Sequence, residues 1–291
     1  MLQTFLNSFL ATWTVAPLAL AFGIVYKSTG IFHLAVGAIY ALMPYITLSL
    51  MRKGLPVATA FLGASVVGVL VSMGLEICNH RPLMRKGASP VGHFVTSLGV
   101  YMSTPPLITA LWGPDVQSLR STGQAAVSVG PFVISVGQLV SSSIAIIALA
   151  IFYVWLSASA TGLKLRALAS NPTEAALRGL DVASLRLLGF GISGLLCAVA
   201  ALPVAWDVGF DPYSALTPTV LAIAAGAVGG WGSFWGPAVG SLFISLVRGI
   251  AMILLSPQWQ DAATFLGLAI LLYIRPTGIL SPRQREGIKS E

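Results

Sequence analysis

Apolar residues dominate the chain in long uninterrupted stretches that are separated by short polar or charged joints. A helix needs about 20 apolar residues to cross a bilayer. The stretches therefore predict one polytopic, all-α membrane domain over residues 1–291, with about eight (8–9) transmembrane helices. Pro44, Pro105 and Pro106 predict that some of these helices are broken or re-entrant. The stretches lie at 5–26, 31–50, 55–78, 90–112, 132–157, 187–206, 216–230, 234–255 and 262–274.

The composition excludes most soluble classes of protein. Of the 291 residues, 56% are apolar and only 9% are charged, against roughly 25% charged in an ordinary soluble domain. A soluble enzyme, a nucleic-acid-binding protein and a disordered chain are all disfavoured by this balance. The sequence has no G-x-x-x-x-G-K-[ST] motif, so we expect this chain neither to hydrolyse ATP by that chemistry nor to act as an enzyme.

The basic residues predict the orientation of the chain in the membrane. Eleven of the 16 Lys and Arg lie in residues 81–86, 164–186 and 275–289. Because positive charges concentrate on the cytoplasmic side, these joints and the C-terminus are expected to be cytoplasmic. The N-terminus is expected outside with nine crossings and inside with eight. The acidic residues of the other joints fall on the opposite side: Asp115, Asp207, Asp211 and Asp261.

The longest polar interruption, about 161–186, predicts a short helix beside the membrane. Asn171 is a favourable N-cap, and Pro172 suits the first helical position. Gly179 would end the helix after about two turns, and Asp181 would cap the helix that follows. Two interpretations are open at this point: a projection that fits a groove on a cytoplasmic partner, or a well-capped helix in a solvated loop.

Four motifs, in order along some 250 residues, carry a resemblance to a known family. Residues 162–181 are similar to its cytoplasmic loop, and residues 76–85 to its E-R-x-x-Y-R-P-L-R joint. The run GAVGGWGSFWGPAVG at 226–240 resembles its L-G-G-x-G-S-x-x-G-A-x-x-G segment, and residues 275–280 resemble its closing P-T-G-I-L. Together these motifs resemble the permease subunits of branched-chain amino acid ABC transporters.

The resemblance implies a transport role in the bacterial inner membrane. It implies that the chain forms a path through the lipid bilayer for a branched-chain or hydrophobic amino acid, or a related small molecule. Two cytoplasmic ATPase subunits, a second related permease and an extracytoplasmic solute-binding protein are the implied partners. The ATPases would use ATP, and this chain would hold no cofactor, metal or nucleic acid. The implied ATPase-coupling residues are Arg166, Asn171, Glu174, Ala175, Arg178, Gly179 and Asp181.

A fifth motif points to the solute path. The family's G-V-x-N-F-A-H-G-E-L-Y corresponds to residues 30–40, where His33 replaces Asn, and Val36 and Ala38 replace polar residues. The path would therefore be less polar than in the family, and urea- or amide-type solutes are alternatives to an amino acid. For the glycines of the run at 226–240, two interpretations are open: close packing between helices, or a broken helix that exposes backbone groups. The candidate path residues are His33, Gly37, Tyr40, Gly229, Gly230 and Gly232.

The ionisable residues near the membrane allow a second function. An ion-gradient-driven secondary transporter would also use embedded charges, but carboxylates are scarce in the apolar stretches. Glu76 is expected to pair with Arg81 or Arg85, with a proton relay as the alternative. Arg248 lies among apolar residues and needs a partner; Asp261 is the nearest acid in sequence.

An intramembrane enzyme would need several catalytic groups at one depth. The three histidines, His33, His80 and His93, lie far apart in sequence, which disfavours such a site. Cys78 and Cys197 have no spacing typical of a metal site.

Overall fold

The structure is a computed structural model that describes residues 2–120, 126–129 and 132–280. Nine helices follow the nine apolar stretches: α1 (Leu2–Thr29), α2 (Val36–Arg52), α3 (Val57–Leu75), α5 (Pro90–Trp112), α6 (Val136–Ala158), α9 (Val182–Val208), α10 (Leu216–Gly229), α11 (Gly236–Leu254) and α12 (Gln260–Ile274). The shorter elements are a π-helical turn (Glu76–His80), α4 (Arg81–Arg85), α7 (Ala160–Ser170), α8 (Pro172–Leu177) and a 3₁₀ turn (Pro257–Trp259). Strands β1 (Ala126–Val129) and β2 (Phe132–Ser135) pair antiparallel, with Ala126 opposite Ser135.

The helices have the lengths and composition of membrane spans. Among the described residues, six helical segments are long and apolar enough to cross a bilayer, and α2 and α10 are shorter apolar helices. The six segments are α1, the continuous run from α3 to α4, α5, α6, α9 and α11. The prediction of a polytopic, all-α membrane protein is confirmed. The expectation that Pro44, Pro105 and Pro106 break their helices is wrong, because α2 runs unbroken through Pro44 and α5 through Pro105 and Pro106.

Successive spans run in opposite directions, which sorts the joints into two groups. The coupling-loop end, defined as the end that carries residues 159–181, also carries residues 81–86 and the start of α9, where Arg81 Nη2 donates to the Ala183 carbonyl at 3.0 Å. At the opposite end, Gln3 Nε2 donates to the Val133 carbonyl at 2.7 Å. The N-terminus of α1 therefore lies opposite the coupling loop.

The charged joints separate only in part between these two ends, because Arg52 lies at the opposite end, where its Nη2 donates to Gln117 Oε1 at 3.2 Å. The acidic joint residues Asp115, Asp207, Asp211 and Asp261 lie at the opposite end, where Gln117 also pairs with Phe210 through both backbone groups. The basic residues Arg283, Arg285 and Lys289 lie outside the described part of the chain.

Helices α1 and α9 form the centre of the bundle, and small residues let their neighbours approach closely. Helices α3 and α9 approach closely at Gly68 and Gly194, where a Cβ on Gly194 would lie 2.3 Å from the Gly68 carbonyl oxygen. Ser72 on α3 donates to the Phe190 carbonyl of α9 at 2.6 Å. Close backbone contact between helices of this kind is typical of membrane bundles, where packing replaces hydrophobic burial.

Candidate coupling loop and solute path

The short helix α8 begins and ends at the residues that the sequence predicts. Asn171 Oδ1 accepts hydrogen bonds from the backbone N–H groups of Thr173 at 3.1 Å and Glu174 at 3.2 Å. These bonds satisfy two of the free N–H groups that every helix start leaves. Gly179 follows the helix with a φ of +78°, a backbone conformation that glycine adopts without steric cost. The predicted caps of α8 are confirmed.

Asp181 caps the next helix as predicted. Its carboxylate accepts from the Ser184 N–H at 3.1 Å and from the Ser184 hydroxyl at 2.6 Å. These two hydrogen bonds from Ser184 hold the pKa of the Asp181 carboxyl below its ordinary value. The cap is therefore ionised at neutral pH and fixes the angle at which the loop enters α9.

Only part of α8 is available to a partner. Ala175 is 3% exposed and packs against Leu168 of α7 and Leu185 of α9, so it anchors the helix rather than projecting from it. Leu177, in contrast, is 83% exposed. Leu177 is absent from the residues predicted for ATPase coupling, and no pattern in the sequence marks it, because single exposed apolar residues are common on protein surfaces. The exposed face of α8 carries Glu174, Ala176, Leu177 and Arg178, and Arg166 on α7 is exposed as well.

A buried ion pair lies directly behind the coupling loop. Glu76 has no exposed surface, and its Oε1 lies 2.9 Å from Arg186 Nε of α9 and 3.8 Å from Arg81 Nε. Arg186 Nη2 also donates to Glu76 Oε2 at 3.4 Å. The expected contact with Arg81 is present, but Arg186 is the closer partner. The pair links the π-helical turn to the first turns of α9.

All three histidines of the chain meet beside this ion pair. His80 Nε2 lies 2.8 Å from His33 Nδ1, and His80 Nδ1 lies 3.1 Å from His93 Nδ1. All three side chains are buried, and the His33 Nε2 atom has no hydrogen-bond partner in the described part of the chain. The large separation of the three histidines in the sequence thus did not indicate how close their side chains lie. Hydrogen bonds between the rings occupy both His80 nitrogens, and the described residues hold no group of three metal-ligating side chains arranged for a metal.

The histidine chain joins three elements that the sequence separates. His33 lies in the loop between α1 and α2, His80 in the π-helical turn, and His93 in the first turn of α5. The rings of His33 and His80 also contact the Phe190 ring, with centroids 5.0 and 5.4 Å apart. The role of His33 in a solute path stays a prediction. The cysteines are both free, with Cys197 buried and Cys78 exposed.

The candidate path glycines lie at close contacts between helices. A Cβ on Gly37 would lie 2.5 Å from the Thr219 hydroxyl, so α2 approaches α10 there. A Cβ on Gly229 would lie 1.7 Å from the Gly236 carbonyl oxygen. Gly230, with a φ of +94°, reverses the chain between α10 and α11. Gly229 thus matches the close-packing interpretation and Gly230 ends α10, while exposure of backbone groups to a solute path stays a prediction.

A polar cavity of about 370 Å³ lies inside the subunit, in the half that faces away from the coupling loop. Tyr40, one of the candidate path residues, contributes to its wall. A second cavity of about 180 Å³ adjoins it and shares Asn7, Thr14 and Gln138 with it. The uncharged polar side chains that line the polar cavity include Thr4, Asn7, Thr14, Gln138, Thr217 and Ser245.

Arg248 is the cationic side chain at the wall of the polar cavity. Its Nη1 contacts the Asp261 carboxylate, as the nearest-acid interpretation suggests, and its Nη2 donates to Gln260 Oε1 at 3.2 Å. Residues at the start of α12 thus hold the arginine side chain in place. Its side chain is 24% exposed and that of Asp261 63%, so this pair is much wetter than the pair behind the coupling loop.

Comparison with known proteins agrees with this architecture. The family model described as "Branched-chain amino acid transport system / permease component" matches residues 4–274. The high-affinity branched-chain amino acid transport system permease protein LivH of Escherichia coli K12 is 24% identical over 302 residues, covering 99% of this chain and 97% of its own length. The corresponding protein BraD of Pseudomonas aeruginosa is 23% identical over 309 residues, covering 99% of this chain and 98% of its own.

A solved structure shares the fold. PsaBC from Streptococcus pneumoniae, in complex with a Fab, superposes with a TM-score of 0.51 and 15% identity over 97% of this chain and 94% of that chain. At this identity the likeness concerns the arrangement of helices alone. The family match spans nearly all the described helices, including the coupling loop and the cavity. The chain belongs to the permease family of branched-chain amino acid ABC transporters.

Proposed function

We propose that this chain is a permease subunit of an ATP-driven importer and carries a branched-chain amino acid or a related small solute inward across the bacterial inner membrane. Two cytoplasmic ATPase subunits would bind the coupling loop, a second related permease would complete the path, and an extracytoplasmic protein would deliver the solute to the opposite end. The C-terminus would be cytoplasmic. The observation that carries the proposal is the match of the permease family model to residues 4–274. The exposed face of the capped helix α8, with Leu177 83% exposed, is the surface on which the ATPases would bind.

The contacts behind α8 supply a route for mechanical coupling. Ala175 fixes α8 to α7 and α9, and Arg186 then joins α9 to Glu76 of the π-helical turn. A displacement of α8 by the ATPases would therefore move the start of α9 and the segments attached to it, since packed and ion-paired elements shift as units. The alternative, an ion-gradient-driven carrier, would need a carboxylate that is free to bind and release an ion. The Glu76 carboxylate is instead paired with Arg186.

The experiment is co-purification of the tagged chain with its ATPases, combined with ATP-driven uptake of L-leucine into proteoliposomes that contain the complete transporter. Leu177→Asp should abolish both, because it places a charge in the contact while leaving the buried Ala175 anchor intact. The matched control is Val116→Asp, since Val116 is 74% exposed at the opposite end and should keep the ATPases bound. Uptake that needs an ion gradient and no ATP would contradict the proposal.

A further inference from the structure

The helices around the polar cavity present polar side chains where a membrane span would otherwise be apolar. On α1, Thr4, Asn7 and Thr14 lie along the face that lines the cavity, and on α11 Ser245 and Arg248 do so one turn apart. Polar and charged residues within membrane spans are energetically costly and mark cavities that bind solutes or water. Since α1 is one of the two central helices, this cavity lies within one subunit.

The deeper wall of the polar cavity is apolar. Val15, Leu221 and Ile244 line it together with the ring of Tyr40. The cavity thus offers polar groups on one side and aliphatic carbon on the other. Its volume of about 370 Å³ falls at the small end of the range for ligand sites, roughly 300–1,000 Å³. Such a site suits a small solute with a polar head and a short aliphatic body.

Arg248 determines the chemistry of the polar head. A guanidinium has five N–H donors, and Asp261 and Gln260 engage it only through Nη1 and Nη2. Both partners belong to the start of α12 and hold the side chain against the cavity wall. Because the Asp261 carboxylate is 63% exposed, it is the weaker, solvated kind of partner. A second carboxylate can therefore share or replace it.

We propose that the polar cavity is a solute-binding site within a single subunit, where Arg248 binds the carboxylate of a small aliphatic carboxylate solute and the apolar wall receives its carbon chain. The site rests on the proposed transport function and adds where, and by which group, the solute is held. Arg248 is thus the specificity-determining residue, and Asp261 is its partner when the site is empty.

The test uses a cysteine placed in the cavity of the complete transporter in nanodiscs. Ser245→Cys is introduced after Cys78→Ser and Cys197→Ala, and its labelling by a small methanethiosulfonate reagent is timed. L-Leucine at ten times its dissociation constant should slow labelling about tenfold, since occupancy lowers the free fraction by 1 + [L]/Kd. L-Leucinol, which replaces the carboxylate with an alcohol, should not. Met84→Cys at the coupling-loop end, in the same background, is the matched control and should label at one rate throughout.

Two further variants separate binding from structural support. Arg248→Gln, in the Ser245→Cys background, should abolish protection by L-leucine. Asp261→Asn frees the guanidinium and should keep or strengthen that protection; if the arginine only stabilised α12, both variants would lose it equally. The proposal is overturned by an absence of protection, by equal protection from L-leucinol, or by protection that survives Arg248→Gln.

ATP-driven uptake of L-leucine, measured on the same purified transporter reconstituted into proteoliposomes, separates the two proposals. Uptake without protection would overturn the cavity site and leave the transport function standing. Protection without ATP-driven uptake would overturn the transport function and leave the site standing.

Discussion

At the coupling-loop end, the Glu76 carboxylate is fully buried between Arg186 and Arg81, whereas at the opposite end Arg248 shares its charge with an Asp261 carboxylate that is 63% exposed. Both are arginine–carboxylate pairs between helices. The first pair is enclosed by protein, whereas the second is partly exposed at the surface of the chain. The difference indicates two uses of the same chemistry, one as a fixed joint and one as a contact that can exchange partners.

The surroundings of the two ion pairs differ as well, and the contrast is again between a fixed and an exchangeable arrangement. Beside Glu76, three histidines bind one another, and both ring nitrogens of His80 are occupied. Beside Arg248 there is a cavity whose wall combines hydroxyl and amide groups with aliphatic side chains. A fixed joint suits an end that must transmit motion as a unit, while an exchangeable contact suits a site that binds and releases a solute.

The difference between the two ion pairs is tested most directly by neutralising the carboxylate of each pair. Glu76→Gln leaves Arg186 buried without a charge partner, and we expect the free energy of unfolding to fall by about 3–5 kcal/mol. Asp261→Asn should cost no more than about 1 kcal/mol, as expected for a solvated pair. Unfolding in mixed micelles, followed by tryptophan fluorescence, measures both. Equal losses would show that the two pairs do not differ.

A smaller effect is expected from the glycine contact between α10 and α11. Gly229→Ala places a methyl group against the Gly236 backbone, and we expect a loss of about 1–3 kcal/mol from overpacking. Gly99→Ala is the control, because a Cβ on Gly99 meets no atom within 4 Å. The same unfolding assay should find Gly99→Ala unchanged or slightly more stable. A neutral Gly229→Ala would mean that the two helices can separate at no cost.

The smallest effect is local and concerns the coupling loop itself. Asn171→Ala removes the N-cap of α8 and should cost about 1 kcal/mol, mostly by fraying that helix. Hydrogen exchange of residues 173–177 should accelerate, while unfolding of the spans stays the same. Asn171→Asp is the matched control, since aspartate caps equally well. Unchanged exchange in Asn171→Ala would show that packing through Ala175 alone holds α8.

The positions of the nine apolar helices and the caps of α8 could be predicted from the sequence because both depend on local patterns. The length of each apolar stretch fixes a span, and Asn171 and Gly179 act on backbone groups within a few residues of themselves. The family resemblance rested on short motifs in order, and the family match over residues 4–274 confirmed it. Membrane spans and helix caps can thus be predicted from the sequence alone.

Contacts between distant segments were not predictable in this way. Arg186 lies 110 residues from Glu76, and no local pattern indicates that they meet. The histidines were judged too far apart to form a site, yet they form one chain. The polar cavity escaped notice because Asn7 and Thr14 interrupt α1 singly, within a stretch whose average hydropathy is that of a lipid-facing helix.

The π-helical turn at Glu76–His80 lets the run from α3 to α4 absorb the loss of one residue. A π-helical turn accommodates one residue more than an α-helical turn. Deleting a single residue there would restore an ordinary helix and leave everything beyond it on the same face, so Arg81 would still reach the Ala183 carbonyl that it now binds. The same deletion within α3 would instead rotate Arg81 by about 100°, the angle per residue of an α-helix. What the deletion in the turn would remove is the wide backbone that places Glu76 against Arg186 and His80 against His33.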